Sequence, residues 1–381
     1  MPKLTLNDIC QYRNENMLST DLSDNVYIST ETMQPNREGI SSSDIVTPTT
    51  KKVKAFYPGD ILVSNIRPYF KKIWRATFAG GCSNDVLVFS PKCNSEYLYW
   101  LLSTDSFFNY MMATSKGTKM PRGDKKAIMK YIVPDHSDKE QRQIASFLNP
   151  LQNKIALNNR INDYLSEIAS ALFSHEILES IDDTWLRASL LDIASYKNGL
   201  AMQKYRPEKD DPGLPVLKIK ELAQGQCAAD AERCRSGIDE SVKIFDGDLI
   251  FSWSGTLLLD FWAGGNAGLN QHLFKVTSKK YKQWFYYFWT NYHMRKFITL
   301  AKDRATTMGH IKRSALAESE VYIPNENKMN ELDKLFDPLI KKIISLKIES
   351  RILSELRNEL LPKLMSGEID VCKVGVLVER L

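Results

Sequence analysis

Two long stretches of the chain carry apolar residues at alternating steps of four and three. The first follows Ser137 and Glu140, which are spaced as a capping box in which each side chain accepts a hydrogen bond from the other's backbone. Steps of four and three form a coiled-coil seam, so we predict two long helices that pair antiparallel. At 1.5 Å per residue, about 40 residues make each helix roughly 60 Å long. The predicted helix-pair interface consists of Ile144, Leu148, Leu151, Ile155, Leu165, Leu172, Leu332, Phe336, Leu339, Ile343, Leu346, Leu353 and Leu360.

Polar residues interrupt this seam at Asn158, Asn162 and Ser350. Such residues cost stability but can fix the register of a helix pair. The alternative is that this part of the seam lies at a helix crossing or faces another subunit, and the sequence leaves both interpretations open. Pro150 and Pro338 lack a backbone donor, so we expect both helices to kink near their start.

The other segments alternate β-branched and aromatic runs with turn residues, which indicates a mixed α/β structure. We predict strands over 53–64, 85–89, 242–253 and 272–276. Aromatic-rich segments of helical length cover 96–112 and 283–301. Turn residues and basic residues predict loops, or loop-to-helix junctions, over 112–126 and 301–313.

This series of segments occurs twice. Gly59, Asp60 and Ser64 recur as Gly247, Asp248 and Ser252, at an offset of 188 residues. The same offset relates Lys116 to Arg304, Thr118 to Thr306, Met120 to Met308, and Pro150 to Pro338. One short shared motif is weak, but a register held along the chain indicates an internal duplication.

The duplication predicts an α+β chain with an internal pseudo-two-fold repeat. Two tandem α/β domains are separated and followed by the long helices, which pair as an antiparallel coiled coil. The predicted segments are a first domain over 1–137, a first long helix over 138–182, a second domain over 183–326, and a second long helix with a C-terminal tail over 327–381.

Composition narrows the class of protein. Hydrophobic residues make up 43% and charged residues 25%, which is ordinary for a globular chain. The sequence shows no apolar run of membrane-spanning length, no apolar core of a signal peptide near Met1, and no C-x-x-C pair among its six cysteines. We therefore expect a cytoplasmic protein with no membrane association, disulfide framework or structural zinc site.

The basic excess lies mainly in the two predicted domains. Residues 1–137 hold 17 Lys and Arg against 13 Asp and Glu, residues 183–326 hold 20 against 17, and residues 138–182 hold 4 against 7. Five of the twelve residues over 115–126 are basic, and segment 302–313 repeats the pattern. A lone basic loop is most often only solvated, but recurrence in both copies favours phosphate binding. Two similar domains at a fixed separation suit duplex DNA.

These patterns select candidate DNA-binding residues. Arg122 could bond a guanine edge through two hydrogen bonds in the major groove. Tyr69 and Trp253 follow equivalent strands and could also reach DNA, although packing within the protein is the commoner role of such rings. The predicted DNA-binding residues are Arg67, Lys71, Lys72, Lys116, Thr118, Lys119, Arg122, Lys125, Trp253, Thr256, Arg304, Thr306, His310, Lys312 and Arg313.

Signatures of catalysis are missing from the sequence. It contains no phosphate-binding P-loop, no G-x-G-x-x-G, no adenine-methyltransferase signature and no cluster of its five histidines. We therefore predict a binding scaffold, with no catalytic residue, cofactor site or metal site on this chain.

Several segments resemble one protein family. Residues 139–148, which follow Val133 and Pro134, resemble the start of its first long helix, and residues 360–370 resemble its usual ending. Residues 26–29, 58–64 and 214–219 resemble its target-recognition domains. In the order and duplication of these segments, the chain resembles, over nearly its whole length, the specificity subunit of type I restriction-modification systems.

The resemblance implies a division of labour. Each target-recognition domain would read one half of a bipartite, gapped site in double-stranded DNA, and the helices would set the gap. Two methyltransferase subunits, carrying S-adenosylmethionine, would flip out and methylate adenine. Motor-nuclease subunits would cleave unmodified DNA with ATP and magnesium. No cofactor is implied on this chain.

Two rival classes stay open at this point. The first is a non-catalytic DNA-binding or protein-adaptor scaffold outside restriction-modification, which a steep fall of DNA binding with salt would help to separate. The second is an enzyme with an unrecognised site, which the missing motifs disfavour.

Overall fold

Two compact units make up the chain. The computed structural model describes residues 3–22, 26–41, 47–117, 119–302 and 311–371. Unit 1 comprises Met1–Ala156 with Ser354–Leu381, and unit 2 comprises Leu157–Leu353. The two long helices therefore each contribute residues to both units.

Unit 1 is a mixed α/β unit. Its strands are β1 (Cys10–Tyr12), β2 (Asn16–Leu18), β3 (Tyr27–Ile28), β4 (Lys52–Phe56), β5 (Ile61–Ser64), β6 (Ile73–Arg75), β7 (Gly80–Cys82) and β8 (Val86–Pro91). Its helices are α1 (Leu6–Ile9), α2 (Ser95–Leu102), α3 (Asp105–Ala113), α4 (Lys125–Ile128) and the first part of α5 (Asp138–Phe173). Short 3₁₀ turns cover Ser19–Asp21 and Pro68–Phe70.

Two sheets form the centre of unit 1. One has the order β1-β8-β5-β6 and is antiparallel throughout; the other has the order β2-β4-β7-β3, with β3 parallel to β7. Side chains alternate across β5: Ile61 and Val63 join the core that includes α2 and α3, while Leu62 joins the core with Phe56 and Cys82. Burial on both faces explains why this strand is continuously apolar.

Unit 2 repeats this architecture. Its strands are β9 (Leu186–Ser189), β10 (Ser195–Asn198), β11 (Leu214–Leu217), β12 (Arg233–Cys234), β13 (Lys243–Ile244), β14 (Leu249–Ser252), β15 (Leu258–Phe261), β16 (Ala267–Leu269), β17 (Leu273–Thr277) and β18 (Glu320–Ile323). Its helices are α6 (Leu190–Ile193), α7 (Ile219–Gln224), α8 (Gln283–Tyr292), α9 (Met294–Lys302), α10 (Arg313–Ala317) and most of α11 (Glu326–Met365). A π-helical stretch, Ser174–Leu178, continues α5, and short 3₁₀ turns cover Met202–Lys204 and Glu240–Val242.

The first sheet of each unit has the same strand order, since β10-β17-β14-β15 matches β1-β8-β5-β6. In the second sheets, parallel β11 and β16 with antiparallel β13 match β3, β7 and β4. The fourth strand differs: β2 pairs with β4 in unit 1, whereas β12 pairs with β11 in unit 2. The units thus share a frame but not their outer strand.

The recurring Gly-Asp pair forms the same turn in both units. Gly59 and Gly247 both have φ of +91°, which favours glycine. The Asp60 carboxylate accepts a hydrogen bond from Tyr57 N at 2.9 Å, and the Asp248 carboxylate accepts one from Phe245 N at 2.8 Å. The prediction of one strand over 53–64 is therefore wrong, because this turn divides it into β4 and β5, and it divides 242–253 likewise.

The aromatic-rich segments each fold into two helices. In segment 96–112, the first helix ends at Leu102, and Thr104 caps the start of α3, where its hydroxyl accepts a hydrogen bond from Phe107 N. In segment 283–301 the break falls at His293, between α8 and α9. Neither segment forms a single helix, because a short break separates the two helices in each.

Both long helices form as predicted, and the first begins with the predicted cap. Ser137 N and Oγ donate to the Glu140 carboxylate at 2.8 and 2.7 Å, and Glu140 N donates to Ser137 Oγ at 3.4 Å. The helices continue through Pro150 and Pro338. Every residue of the predicted helix-pair interface is buried or half-buried.

Within unit 2, the segments of the two long helices run antiparallel. In unit 2, Asn158 Nδ2 donates to Glu349 at 2.9 Å, while Lys328, near the start of α11, donates to Glu176 at 2.8 Å. In unit 1, the buried Arg357 donates to Gln152 at 2.6 Å. Asn158 is fully buried, and its Oδ1 has no hydrogen-bond partner among the described residues.

The packing of α11 generates a stability prediction. Phe336 is fully buried and stacks on Trp284, with ring centroids 4.6 Å apart and planes at 16°. Phe336→Ala should lower the free energy of unfolding of unit 2 by about 3–5 kcal/mol, because it removes buried surface and leaves a cavity. The neighbouring Leu335, 38% exposed, provides a matched control, and Leu335→Ala should change it by about 0.5 kcal/mol. Urea denaturation, monitored by tryptophan fluorescence, compares the two variants. Equal denaturation midpoints for Phe336→Ala and Leu335→Ala would contradict this packing.

Candidate nucleic-acid interface

The predicted basic loop of unit 1 is a closed turn. Lys116 and Arg122 exchange backbone hydrogen bonds, with N–O distances of 2.9 and 3.0 Å. Gly117 has φ of +90°, which permits the sharp reversal. The Asp124 carboxylate then caps α4 by accepting hydrogen bonds from Lys126 N and Ala127 N at 2.9 and 3.0 Å. Thr118 lies outside the described residues.

A second predicted segment packs against this loop. After β5, the chain forms the 3₁₀ turn Pro68–Phe70, flanked by Arg67 and Lys71 in the left-handed region. Arg67 N donates to Pro121 O at 2.9 Å, and Ile66 forms a β-bridge with Arg122. Segments 65–72 and 115–126, here called the basic surface, therefore lie side by side although 43 or more residues separate them along the chain.

Most predicted cations of the basic surface have protein partners. Lys71 binds Asp105 at 2.8 Å, Lys116 binds Asp124 at 3.0 Å, and Arg122 binds Asp85 at 3.2 Å. Lys72 Nζ donates to Thr30 O at 2.6 Å. Exposed ion pairs of this kind are weak in water and are screened by salt. A phosphate group can therefore replace the carboxylate partner at small cost, and Lys119 and Lys125 are exposed as well.

Electrostatics hold two of the carboxylate partners, Asp124 and Asp105, in their charged form. Backbone N–H of Ala127, and then the Lys116 ammonium, lower the pKa of Asp124 to about 2. Burial raises the pKa of Asp105, but Lys71 and Arg37 outweigh it and leave that pKa below its usual value. Both carboxylates are therefore negatively charged at neutral pH.

Unit 2 repeats the contact between the two segments. Ile311 N donates to Trp253 O at 3.1 Å, and the equivalent bond in unit 1 joins Gly123 N to Asn65 O at 3.3 Å. Both pairs are related by the offset of 188 residues. The exposed Lys312 and Arg313 follow this contact at the start of α10. Arg304, Thr306 and His310 lie outside the described residues.

The two aromatic candidates differ in their surroundings. Trp253 packs within unit 2: its ring stacks on Phe274, with centroids 5.5 Å apart, and its Nε1 donates to Asn198 at 3.1 Å. Thr256 is exposed on the following turn. Tyr69, by contrast, is 48% exposed, and its ring contacts Phe70.

Two residues of this site are not predicted from the sequence. Phe70 is 36% exposed beside Tyr69, a signal present in the run of two aromatics between basic residues. Arg37 supports the 3₁₀ turn Pro68–Phe70, because its backbone N donates a hydrogen bond to Lys71 O at 3.1 Å. Nothing in the spacing of Arg37 along the chain indicates that contact.

The described residues offer neither a metal site nor a membrane span. Within the described ranges, no group of histidine, cysteine and acidic side chains is arranged to hold a metal ion. No helix among the described elements is both long and apolar enough to cross a membrane.

Comparisons of the sequence with known proteins all match one family. A model of the family described as "Type I restriction modification DNA specificity domain" matches residues 2–167 and again residues 182–357. The chain is 24% identical over 308 residues to the MjaIX specificity subunit of a type I restriction enzyme from Methanocaldococcus jannaschii, covering 73% of this chain and 69% of that protein. It is 27% identical over 170 residues to the EcoDI specificity subunit from Escherichia coli, covering 42% of this chain and 37% of that protein.

A solved structure shares the fold. The S subunit of a type I restriction-modification system from M. genitalium superposes with a TM-score of 0.55 at 16% identity, covering 95% of each chain.

The Asp124 cap generates a prediction about charge. Its lowered pKa means that the carboxylate's contribution to the loop is present above about pH 4 and is lost as pH falls toward 2. Lys116→Ala should raise the pKa of Asp124 but leave it below 3.8, because the backbone N–H groups of α4 still bind the carboxylate. NMR titration of the aspartate carboxyl carbons measures this, and Lys119→Ala is the control that should leave it unchanged. An unaltered pKa in Lys116→Ala would contradict the ion pair.

Proposed function

We propose that this chain, which belongs to the type I restriction-modification DNA specificity family, reads the two halves of one gapped DNA target, one half with each unit. Family membership makes it a specificity component of a type I system. The bipartite reading, the contact residues and the partner subunits are the parts that this proposal adds.

The repeated contact between two segments carries the proposal. In both units, the residue that follows the doubly buried strand, Asn65 or Trp253, accepts a backbone hydrogen bond from a segment with basic residues. The same frame therefore presents positive charge at the same place in each unit. Phosphate contacts of this kind position a protein on DNA, while neighbouring side chains read base edges.

Differences between the units support two different half-sites. The fourth strand of the second sheet lies at opposite edges, as β2 and β12. The connection after the doubly buried strand spans residues 65–72 in unit 1 and only 253–257 in unit 2. Two units that share the same sheets but differ in their loops would recognise two different half-sites, and hence an asymmetric DNA target.

The chain would act without chemistry of its own. In this proposal, two methyltransferase subunits bind it and contribute S-adenosylmethionine, and motor-nuclease subunits contribute ATP and magnesium. This chain's residues would select the site and hold the partners there. Requiring both half-sites at one spacing raises specificity, because each half alone binds weakly. The family assignment leaves an adaptor outside restriction-modification without support.

Charge removal tests the DNA contact. Lys119→Ala with Arg122→Ala should weaken duplex binding and reduce the slope of log K against log salt by about 1 for each phosphate that the variant no longer neutralises. The measurement is fluorescence anisotropy of the full chain, with its co-purifying subunits, on duplex DNA between about 50 and 200 mM salt.

The matched control removes two charges elsewhere on unit 1. Lys3 and Lys92 are exposed lysines outside the basic surface, so Lys3→Ala with Lys92→Ala changes the net charge equally. Equal salt slopes in both double variants would contradict the assignment of the basic surface, whereas binding without any salt dependence would contradict a DNA-binding role.

A further inference from the structure

An exposed aromatic pair stands in the middle of the basic surface. Tyr69 is 48% and Phe70 36% exposed, and their ring centroids are 4.6 Å apart. Aromatic rings are ordinarily buried, since each removes a large apolar area from water. Two adjacent exposed rings therefore indicate an interaction that lies outside the unit.

The backbone that carries these rings is strained. Among the described residues, four other than glycine have positive φ: Asn36 at 55°, Arg37 at 70°, Arg67 at 50° and Lys71 at 52°. All four lie in two loops that touch, because Asn36 N donates to Phe70 O at 2.9 Å and Arg37 N donates to Lys71 O at 3.1 Å. Left-handed residues other than glycine persist where the surrounding structure holds them, and such strain clusters at functional sites.

A buried arginine anchors the turn from beneath. Arg37 is 7% exposed; its Nε donates to Ser103 O at 2.5 Å and its guanidinium pairs with Asp105. Lys71 binds the same carboxylate at 2.8 Å. These contacts fix the backbone that carries the two rings, so binding a partner costs little conformational entropy in this turn.

Charge and polarity around the rings select the partner. Arg67 precedes the pair, Lys71 and Lys72 follow it, and Arg122 lies on the bridged neighbouring segment. Beneath the turn, Asn65 Oδ1 and Arg67 Nε are buried and have no hydrogen-bond partner in the structure. Apolar rings framed by cations complement a nucleic-acid duplex, whose phosphates surround stacked, flat bases.

We propose that Tyr69 and Phe70 insert at a base step of the DNA bound by unit 1, unstack it and kink the duplex. This inference rests on the proposed function and deepens it. The shorter connection of unit 2, residues 253–257, has no aromatic pair, and its one ring, Trp253, stacks on Phe274. We therefore assign the kink to the half-site bound by unit 1. Specificity then comes partly from deformability, because steps that unstack easily, such as TA or CA, cost less to open.

The test uses the full chain with its co-purifying subunits and a duplex that they enrich from a random pool. Donor and acceptor dyes at the duplex ends report bending. With the wild-type chain, the duplex should bend by at least about 20°. Tyr69→Ala with Phe70→Ala should abolish that bend and weaken binding roughly 10- to 100-fold, with the salt slope unchanged.

Three comparisons make the outcome decisive. Tyr57→Ala removes a ring 39% exposed at the opposite end of β5 and should leave the bend intact. Tyr69→Leu with Phe70→Leu keeps apolar bulk and should retain most of the bend, which also guards against loss of folding in the alanine variant. An alanine variant that bends and binds DNA as the wild type does would overturn the inference while leaving the proposed function standing. A chain that enriches no duplex would overturn both.

Discussion

Burial of one short strand on both faces is the constraint on which each unit depends. In unit 1 the strand is β5 and in unit 2 it is β14; Leu249 and Phe251 join one core of unit 2 while Ile250 joins the other. Because successive side chains point to opposite faces, a shift by one residue would exchange the two cores. The register of the strand is therefore specified strongly, and so is the position of the loop at its end.

The candidate interface lies directly after this strand. The Gly-Asp turn precedes the strand and fixes its start. The carbonyl of the residue after the strand, Asn65 or Trp253, accepts a hydrogen bond from the basic segment. The buried strand between the turn and this hydrogen bond fixes the position of the loop. Binding residues commonly lie on loops that a rigid scaffold positions in this way. The frame can stay constant while the loops diverge, as the unequal connections over 65–72 and 253–257 illustrate.

Much of this could be predicted from the sequence, and the parts that could not share a physical cause. The offset between Gly59 and Gly247 predicted the duplication, and the apolar spacing predicted both long helices, because each signal is local or periodic. The division of segment 53–64 was missed although Pro58, Gly59 and Asp60 are turn residues, because the apolar residues on both sides of them were assigned to one strand. The exposure of Tyr69 and the support from Arg37 depend on contacts between loops distant in sequence, which propensity does not encode.

In the proposed function, the two units read DNA at a separation that the long helices set. The most direct measurement maps methylated adenine by long-read sequencing in the source strain, and compares this chain with a form carrying seven extra residues in each helix, after Ala156 and after Leu353. Seven helical residues add about 10 Å, which corresponds to at most about three base pairs. We predict one gapped motif with unchanged half-sites and a spacer one to three base pairs longer. An unchanged spacer, or altered half-sites, would contradict the account.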